Sequence, residues 1–236
     1  AGETHIPCNH CSMCLSDNRH NCENMKIIGV HTAGSFAEYI AFPADCAYKI
    51  ADKIDYEIGA LLEPMGVGMH GVSKGDVKDK ITVIYGCGPI GLMAVACAKF
   101  KGAKKIIAVD VVDDKLEMAK KVGADVVINS KTQKDLEIVK AETNGRGADV
   151  VIDYTGNKFA IKAGFQLVRK GGAMVLVGLT SGDTSLDLTN DIIYREAAVY
   201  GVTGRLMYQT WDECNEMLES GFDLRPLMSG PYALKD

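Results

Sequence analysis

The chain has 236 residues, of which 47% are hydrophobic and 24% charged, so it is long enough to bury a full core and to hold more than one domain. Its formal net charge of −5, with no run rich in lysine and arginine, argues against nucleic acid or an anionic membrane as the main partner. The sequence contains no apolar run that approaches membrane-spanning length.

Four of the eight cysteines fall within fifteen positions, at Cys8, Cys11, Cys14 and Cys22. Four thiolates at this spacing can converge tetrahedrally on one Zn²⁺ and leave no position open for water, which predicts a structural zinc site. Disulfides, an iron-sulfur cluster and simple clustering are the alternatives, although the seven-residue gap before Cys22 differs from the bacterial cluster run. The other four cysteines are expected to be unpaired, mostly buried thiols, which favours a cytoplasmic location.

The next segment, from Gly34 to Ile50, reads GSFAEYIAFPADCAYKI and alternates well enough to predict one or two strands that break at Pro43. These strands would belong to the β-rich part of a second domain. Glu63 follows, embedded in the apolar run 60–71. A buried acid must be paired, neutral or metal-bound, and from spacing alone a helix-capping or hinge carboxylate is the leading interpretation of Glu63.

Residues 81–110 contain a strand, a glycine-rich turn, a helix, a second strand and an acid, in that order. The β-branched run 81–85 predicts a buried strand that stops at a G-x-G-x-x-G motif. Apolar residues on a wide helical face follow as far as Phe100, and Gly102 lies where a left-handed helix cap is expected. The second strand, 105–109, ends on Asp110. This order is typical of a dinucleotide-binding unit.

Each residue type in the turn has a physical reason. Gly86 permits the tight bend, Gly88 lets the backbone approach a pyrophosphate, and Gly91 lets the helix pack closely on the strand. The free N–H groups of the first helical turn favour an anion. Asp110 would bind both ribose hydroxyls and repel a 2′-phosphate, so NAD is favoured over NADP. A glycine-rich turn packed for steric reasons alone is the alternative. The predicted contacts in the turn are Gly86, Gly88, Pro89, Ile90 and Gly91.

After Asp110 the chain continues to alternate helices and strands. Helices are predicted at 113–122, 133–143 and 158–168, and strands at 125–129, 149–154, 173–179 and 199–202. Strands joined by helical crossovers predict an α/β fold with a parallel, doubly wound Rossmann sheet, whose ligands lie at the carboxyl ends of the strands. Thr155, Gly178 and Val202 should therefore lie around the same crevice as Gly86 and Asp110. Ordinary strand-end turns would explain Thr155 and Gly178 equally well.

Taken together, these motifs resemble the zinc-dependent medium-chain dehydrogenases over nearly the whole chain. The resemblance depends on the four-cysteine lobe, the GSFAEY segment, the acid-proline step at Glu63 and the G-x-G-P-x-G unit that ends in an acid. The motif GVTGR at 201–205, followed by Thr210 and Trp211, is similar to the L-threonine 3-dehydrogenase branch. Val67 in EPMGVG is closer to the sorbitol or polyol branch.

The resemblance implies an NAD-dependent oxidoreductase that takes a hydride from a secondary alcohol, with the C3 hydroxyl of L-threonine as the first expectation and a polyol as the alternative. It implies that Glu63 is a catalytic residue and a ligand of a catalytic zinc. It also implies that Lys115 contacts the coenzyme ribose, unless Lys115 is a solvated helix lysine. A homo-oligomer, a dimer or tetramer, is expected to pair along 199–202, where residues 192–194 are apolar neighbours of an exposed sheet edge.

Three segments are predicted from the resemblance: residues 1–62 as a partial GroES-like catalytic domain with the zinc lobe, 63–204 as the NAD-binding Rossmann domain, and 205–236 as a helix and return segment. The other catalytic zinc ligands of the family belong to a part of the barrel that this sequence lacks. We therefore expect a fragment that is inactive alone, with an internal deletion or natural truncation as alternatives. The competing hypothesis is a zinc-stabilised NAD-binding module without turnover.

Overall fold

The computed structural model describes residues 1–230, 232 and 233, which form two compact units. One unit comprises residues 68–202, and the other comprises 1–67 together with 203–236. The predicted division at residues 62 and 204 stays a prediction, and the end of the predicted return segment, residues 231 and 234–236, lies outside the described residues. Within the described residues, every helix is too short or too polar to cross a bilayer.

Unit 68–202 is built on a six-stranded parallel sheet, which confirms the predicted doubly wound α/β fold. The strand order is β5-β4-β3-β6-β7-β8. The strands are β3 (Ile81–Tyr85), β4 (Lys105–Asp110), β5 (Val126–Asn129), β6 (Ala148–Asp153), β7 (Val168–Leu176) and β8 (Ala198–Gly201). The order reverses between β3 and β6, and this is where such sheets open a ligand crevice.

The helices of this sheet lie close to their predicted positions. They are α4 (Pro89–Phe100), α5 (Asp113–Lys121), α6 (Asp135–Glu142) and α7 (Lys158–Leu167), and α3 (Leu62–Gly75) precedes the first strand of the sheet. Residues 91–98 of α4 are all buried, which fits a helix in the interior of the unit. Gly102 has a φ of +77°, so the predicted left-handed cap is confirmed. The π-helix Leu188–Ile192 and the 3-10 helix Ile193–Arg195 lead into β8.

Strand β7 begins earlier than predicted. It starts at Val168, which pairs with Ala148, whereas the sequence predicted a start at 173. The register then shifts before Ala173 pairs with Val150. Gly171, with a φ of +67°, accommodates this irregularity. Gly171 and Gly172 therefore lie within the strand, although a glycine pair between a helix and a strand usually marks a turn.

The unit of residues 1–67 and 203–236 contains short elements and one longer helix. Its strands β1 (His5–Ile6) and β2 (Lys26–Ile27) pair antiparallel. Its helices are α1 (Ser12–Leu15), α2 (Tyr56–Gly59) and α8 (Gln209–Glu219), with 3-10 turns at Arg19–Asn21, Ala44–Cys46 and Arg225–Leu227. Helix α8 buries Trp211, Cys214 and Met217, which recur at helical spacing and form its core-facing side.

The prediction of strands between Gly34 and Ile50 is wrong. In the described residues this range contains the short turn Ala44–Cys46 and one isolated bridge, between Ala47 and Gly2. Phe36 and Tyr39 are 89% and 91% exposed. A strand exists only where a neighbour completes its hydrogen-bond ladder, and alternation of side chains cannot supply that neighbour.

Candidate functional site

The glycine-rich turn joins β3 to α4, and two of its glycines are required by the protein itself. Gly86 has a φ of +92°, and a Cβ there would lie 2.8 Å from Cγ2 of Thr155. A Cβ on Gly91 would lie 1.8 Å from the carbonyl oxygen of Gly86, so only glycine lets α4 begin this close to the strand. Beside Gly88 an added Cβ would meet nothing within 4 Å. The space at Gly88 is therefore free for a ligand.

The first turn of α4 is suited to an anion. Gly88 is the N-cap residue, and Pro89 occupies the start of the helix. An N–H at this position would have no partner within the helix, so proline loses no hydrogen bond there. The N–H groups that follow, beginning at Ile90, have no partner within the helix and lie at the positive end of its dipole. A phosphate group fits this position without a basic side chain.

Asp110 ties the turn to the end of β4. Its Oδ2 accepts a hydrogen bond of 2.7 Å from the main-chain N–H of Cys87, and its Oδ1 accepts bonds of 2.7 and 3.0 Å from those of Val111 and Val112. These donors fix the carboxylate and occupy both lone pairs of Oδ1 and one of Oδ2, so one lone pair, on Oδ2, is left for a hydroxyl donor. Burial, followed by the nearby Asp110 carboxylate, raises the pKa of the Cys87 thiol to about 12, so this thiol stays protonated.

A cavity of about 580 Å³ opens next to Asp110. Among the predicted residues, Asp110 and Thr155 line it. Tyr85, Asp135 and Phe159 also line it, although sequence reasoning did not single them out. Its volume suits a nucleoside-sized group, and its position at the ends of the central strands is where doubly wound sheets bind ligands.

The loop that contains Thr155 is held by a buried acid, Asp153, at the end of β6. The carboxylate of Asp153 accepts bonds from Oγ1 of Thr155 at 2.5 Å and from the N–H of Gly156 at 2.9 Å. Burial raises the pKa of Asp153, and the hydrogen bonds oppose this shift. A Cβ on Gly178 would lie 2.2 Å from the nitrogen of Gly156, so Gly178 is needed for the close packing of the two loops.

Gly178, Val202 and Lys115 are not among the residues that line the cavity. Val202 extends the pairing of β8, because its N–H donates to the carbonyl of Leu176 at 2.9 Å. Lys115 lies exposed in the first turns of α5. The structure thus brings Gly86, Asp110 and Thr155 together, and the coenzyme contacts of these residues, like those of Gly178, Val202 and Lys115, stay predictions.

The four predicted zinc ligands form one cluster. Their sulfur atoms all lie within 4.8 Å of one another. The Sγ–Sγ distances are 3.5 Å from Cys11 to Cys14, 3.9 Å from Cys11 to Cys22 and 4.0 Å from Cys8 to Cys14. A tetrahedron with Zn–S bonds of about 2.3 Å requires sulfurs about 3.8 Å apart, so the cluster fits this ion.

The thiols of the cluster have conflicting ionisation preferences. The N–H of His10 is the main group that lowers the pKa of Cys8, to about 6. Burial, followed by the neighbouring Cys11 and Cys22, raises the pKa of Cys14 to about 12. A divalent cation would remove this conflict, because it stabilises all four thiolates at once.

Glu63, in the first turn of α3, is paired with an arginine. Its side chain is 40% exposed, and its Oε1 accepts a 2.6 Å bond from Nη1 of Arg205. Among the described residues, the cysteine cluster is the group in which three or more His, Cys, Asp or Glu ligand atoms converge. The structure therefore shows Glu63 as an ion-pair partner, and its catalytic and zinc-ligand roles stay predictions.

Arg205 is itself held by Glu3, and both side chains are fully buried. Nε of Arg205 donates to Oε2 of Glu3 at 2.9 Å, and Nη2 donates to Oε1. The indole N–H of Trp211 donates to Glu3 at 2.9 Å, and His5 shares a 2.8 Å bond with it. Burial alone would raise the pKa of Glu3, but the bonds from His5 and Arg205 lower it to about 2.

Comparison with known proteins assigns this arrangement to a family. A family model described as zinc-binding dehydrogenase matches residues 89–220, and one described as alcohol dehydrogenase GroES-like domain matches residues 2–52. The chain is 41% identical over 238 residues to the L-threonine 3-dehydrogenase of Caldanaerobacter subterraneus subsp. tengcongensis, in an alignment that covers 100% of this chain and 69% of that protein. The chain belongs to the zinc-binding dehydrogenase family.

Two solved dehydrogenase structures share its fold. Galactitol-1-phosphate dehydrogenase from Escherichia coli is 27% identical, with a TM-score of 0.89 over 96% of this chain and 68% of the other. A zinc-binding dehydrogenase from Sinorhizobium meliloti 1021, bound to NADP, is also 27% identical, with a TM-score of 0.88 over 95% of this chain and 66% of the other. The chain spans 66 to 69% of the first curated relatives it matches.

In this zinc-binding dehydrogenase, local sequence patterns did not indicate the residues whose partners lie far away along the chain. Glu3 carries no local signal, because its burial depends on an arginine 202 positions later. Arg205 belongs to a motif that the resemblance used, but its ion pairs could not be read from that motif. Asp135 lies in the predicted helix 133–143, and nothing in the neighbouring sequence indicates that it lines the cavity beside Asp110.

Proposed function

We propose that this chain forms the coenzyme-binding and structural-zinc parts of an NAD-dependent dehydrogenase that oxidises L-threonine. In this reaction a hydride passes from C3 of threonine to C4 of the nicotinamide, the hydroxyl proton is released, and the C3 alcohol becomes a ketone. The observation that carries the proposal is the glycine turn bonded to Asp110 beside a nucleoside-sized cavity. The threonine enzyme aligned over the whole chain supports the substrate.

The coenzyme would be held by the backbone of the turn and by Asp110. The first-turn N–H groups of α4 would bind the pyrophosphate, and the open space at Gly88 leaves room for it. Asp110 would accept a ribose hydroxyl on Oδ2. A 2′-phosphate beside this carboxylate would meet like charge and lose hydrogen bonds, which favours NAD over NADP by about 1–3 kcal/mol. Because one relative was solved with NADP bound, the preference of this chain for NAD over NADP should be measured directly.

Cys8, Cys11, Cys14 and Cys22 would hold one zinc ion that stabilises the lobe around them. Because the four sulfurs complete a tetrahedron, this zinc would have no open position for substrate. The cysteines are present as thiols rather than disulfides in this structure, and thiols persist in reducing compartments, so we place the protein in the cytoplasm. Elemental analysis should find one zinc per chain, and iron in its place would contradict the assignment.

Glu63 would contribute to a second, catalytic zinc site. Such a zinc supplies a Lewis acid that lowers the pKa of the substrate hydroxyl. Arg205 holds the Glu63 carboxylate, and Glu3 holds Arg205, so the acid has a defined orientation. The described residues offer Glu63 alone for this site rather than the usual three ligands, so this chain by itself should bind a second zinc weakly.

A polyol dehydrogenase is the second candidate. The segment 63–68, Glu63 to Gly68, has Val67 at a position that resembles the polyol branch. The solved galactitol-1-phosphate dehydrogenase shares the fold with a TM-score of 0.89. Both candidates use the same coenzyme site and differ only in the alcohol.

The exposed edge of the sheet supports assembly of identical chains. Val199 on β8 is 41% exposed, and Ile193 and Tyr194 nearby are 66% and 68% exposed. An open strand edge with apolar neighbours is normally covered, because its unpaired N–H and C=O groups can pair with another chain. We propose a homo-oligomer that pairs along β8.

NADH formation from L-threonine and from sorbitol, followed for this chain and for the complete reading frame, tests the proposal. The complete protein should oxidise threonine faster than sorbitol, and Glu63→Ala should abolish this activity. This chain alone should turn over slowly or undetectably, because it lacks several kcal/mol of transition-state stabilisation. Faster oxidation of sorbitol by the complete protein would favour the polyol candidate. Robust turnover by this chain alone would contradict the conclusion that Glu63 without further ligands does not hold a catalytic zinc.

A further inference from the structure

The cavity beside Asp110 contains a second carboxylate, Asp135, which the proposed function does not use. The hydroxyl of Tyr85 donates a 2.5 Å bond to Oδ2 of Asp135, and the N–H of Leu136 donates a 2.8 Å bond to Oδ1. Tyr85 is buried and Asp135 is half-buried at the start of α6. The carboxylate is thus fixed from two sides and keeps at least one lone pair on each oxygen.

The direction of the Tyr85–Asp135 bond determines what the cavity offers a ligand. Burial raises the pKa of Tyr85 far above its usual range, and the bond to Asp135 adds to this shift. The phenol therefore stays protonated and must donate. Since Asp135 accepts from Tyr85 and from the backbone, it presents only acceptors to the cavity.

The other residues that line the cavity indicate which kind of ligand would fit it. Asp110 provides a second acceptor group, Val111, Phe159 and Ala160 provide apolar walls, and the other uncharged polar residues of the lining are Ser130, Thr155 and Asn157. Among the described residues that line the cavity, none is lysine, arginine or histidine. A matching ligand would be a flat, uncharged group with donors at two places. The adenosine half of NAD has this form, with a ribose diol at one end and an exocyclic amine at the other.

We propose that Asp135, oriented by Tyr85, accepts a hydrogen bond from the exocyclic amine of adenine and selects adenine dinucleotides over their hypoxanthine and guanine analogues. This inference rests on the proposed function, since it needs the coenzyme ribose to bind at Asp110. Hypoxanthine and guanine carry a carbonyl oxygen where adenine carries the amine. That oxygen would face the Asp135 carboxylate without a proton between them, and the site would lose a charge-assisted bond.

Calorimetric titration of this chain with NAD, nicotinamide hypoxanthine dinucleotide and nicotinamide guanine dinucleotide tests the inference. NAD should bind about 10- to 100-fold more tightly than either analogue. In Asp135→Asn the amide can donate to a carbonyl oxygen, so the hypoxanthine analogue should gain affinity and the ratio should fall towards one. Tyr85→Phe should lower the ratio in the same direction, because the carboxylate loses its orienting donor.

Glu137→Gln is the matched control. Glu137 lies two residues further along α6, is exposed, pairs with Lys134 at 2.8 Å and does not line the cavity. Its substitution should leave all three affinities unchanged.

Equal affinities of the wild-type chain for the three dinucleotides would overturn the inference and leave the proposed coenzyme site intact. An unchanged ratio in folded Asp135→Asn would overturn the assignment of Asp135. Failure of the wild-type chain to bind any of the three would remove the proposed function together with the inference. If circular dichroism shows that Asp135→Asn is unfolded, the ratio of the wild-type affinities for NAD and the two analogues still shows whether the site selects adenine.

Discussion

At the scale of single residues, Glu3 and Arg205 form a fully buried ion pair in the unit that contains Glu63. Arg205 forms ion pairs with two carboxylates, that of Glu3, which is fully buried, and that of Glu63, which is 40% exposed. Removal of one member of a buried pair leaves the other charge unpaired, which is costly. Glu3 therefore acts through Arg205 on the orientation of Glu63.

The pair should give the chain a measurable dependence of stability on pH. The folded-state pKa of Glu3 is lowered from 4.5 to about 2, so its contribution is present above pH 4.5 and is lost as the pH falls towards 2. A shift of this size corresponds to about 3 kcal/mol. Urea unfolding of wild type and Glu3→Gln should show a difference in the free energy of unfolding at pH 6 that falls to about half or less at pH 3 and falls further towards pH 2. A difference that does not change with pH would contradict the assigned pKa.

Residues with local partners could be predicted from the sequence, and those with distant partners could not. Gly86 and Asp110 belong to one strand-turn-helix-strand unit, and the spacing within this unit fixes their contacts. Glu3 and Asp135 acquire their positions only when the chain folds. Their partners are 202 positions away for Glu3 and 50 positions away for Asp135, and no local pattern encodes such distances.

At the scale of elements, the alternation of helices and strands after residue 80 was predictable because each element carries its own periodicity and its own cap or turn. The strands predicted between Gly34 and Ile50 were wrong because a strand also needs a neighbour, and the described residues supply one bridge there. The early start of β7 was missed because Gly171 lies inside an irregular strand, whereas a glycine pair usually marks a turn.

The turn between β3 and α4 offers a test that separates packing from ligand binding. Gly88→Ala adds a methyl group to open space at a φ of −69°, so the melting temperature should be unchanged while NAD affinity falls about tenfold. Gly91→Ala would force a Cβ against the carbonyl of Gly86, so both stability and affinity should fall. Thermal melts and NAD titrations of both variants make the comparison. Equal NAD affinity in wild type and Gly88→Ala would show that the open space is not used by the coenzyme.

At the scale of the whole molecule, the chain combines a Rossmann unit with a four-cysteine lobe, and the exposed edge strand β8 determines how copies would assemble. Replacement of Val199 by lysine places a charge on this edge, which is a common way in which proteins prevent strand pairing. Sedimentation should give a dimer or tetramer for wild type and a smaller species for Val199→Lys, with unchanged circular dichroism. A wild-type monomer at high concentration would contradict the proposed assembly.

The proposed function depends on NAD binding through the Gly86–Gly91 turn and Asp110. The direct measurement is a titration of NAD and NADP into the wild-type chain and into Asp110→Ser, which removes the carboxylate and keeps a small polar side chain. The wild type should bind NAD about 10- to 100-fold more tightly than NADP, and Asp110→Ser should weaken NAD while it strengthens NADP. Equal affinities of the wild-type chain for the two coenzymes, or an unchanged preference in Asp110→Ser, would contradict the role of Asp110.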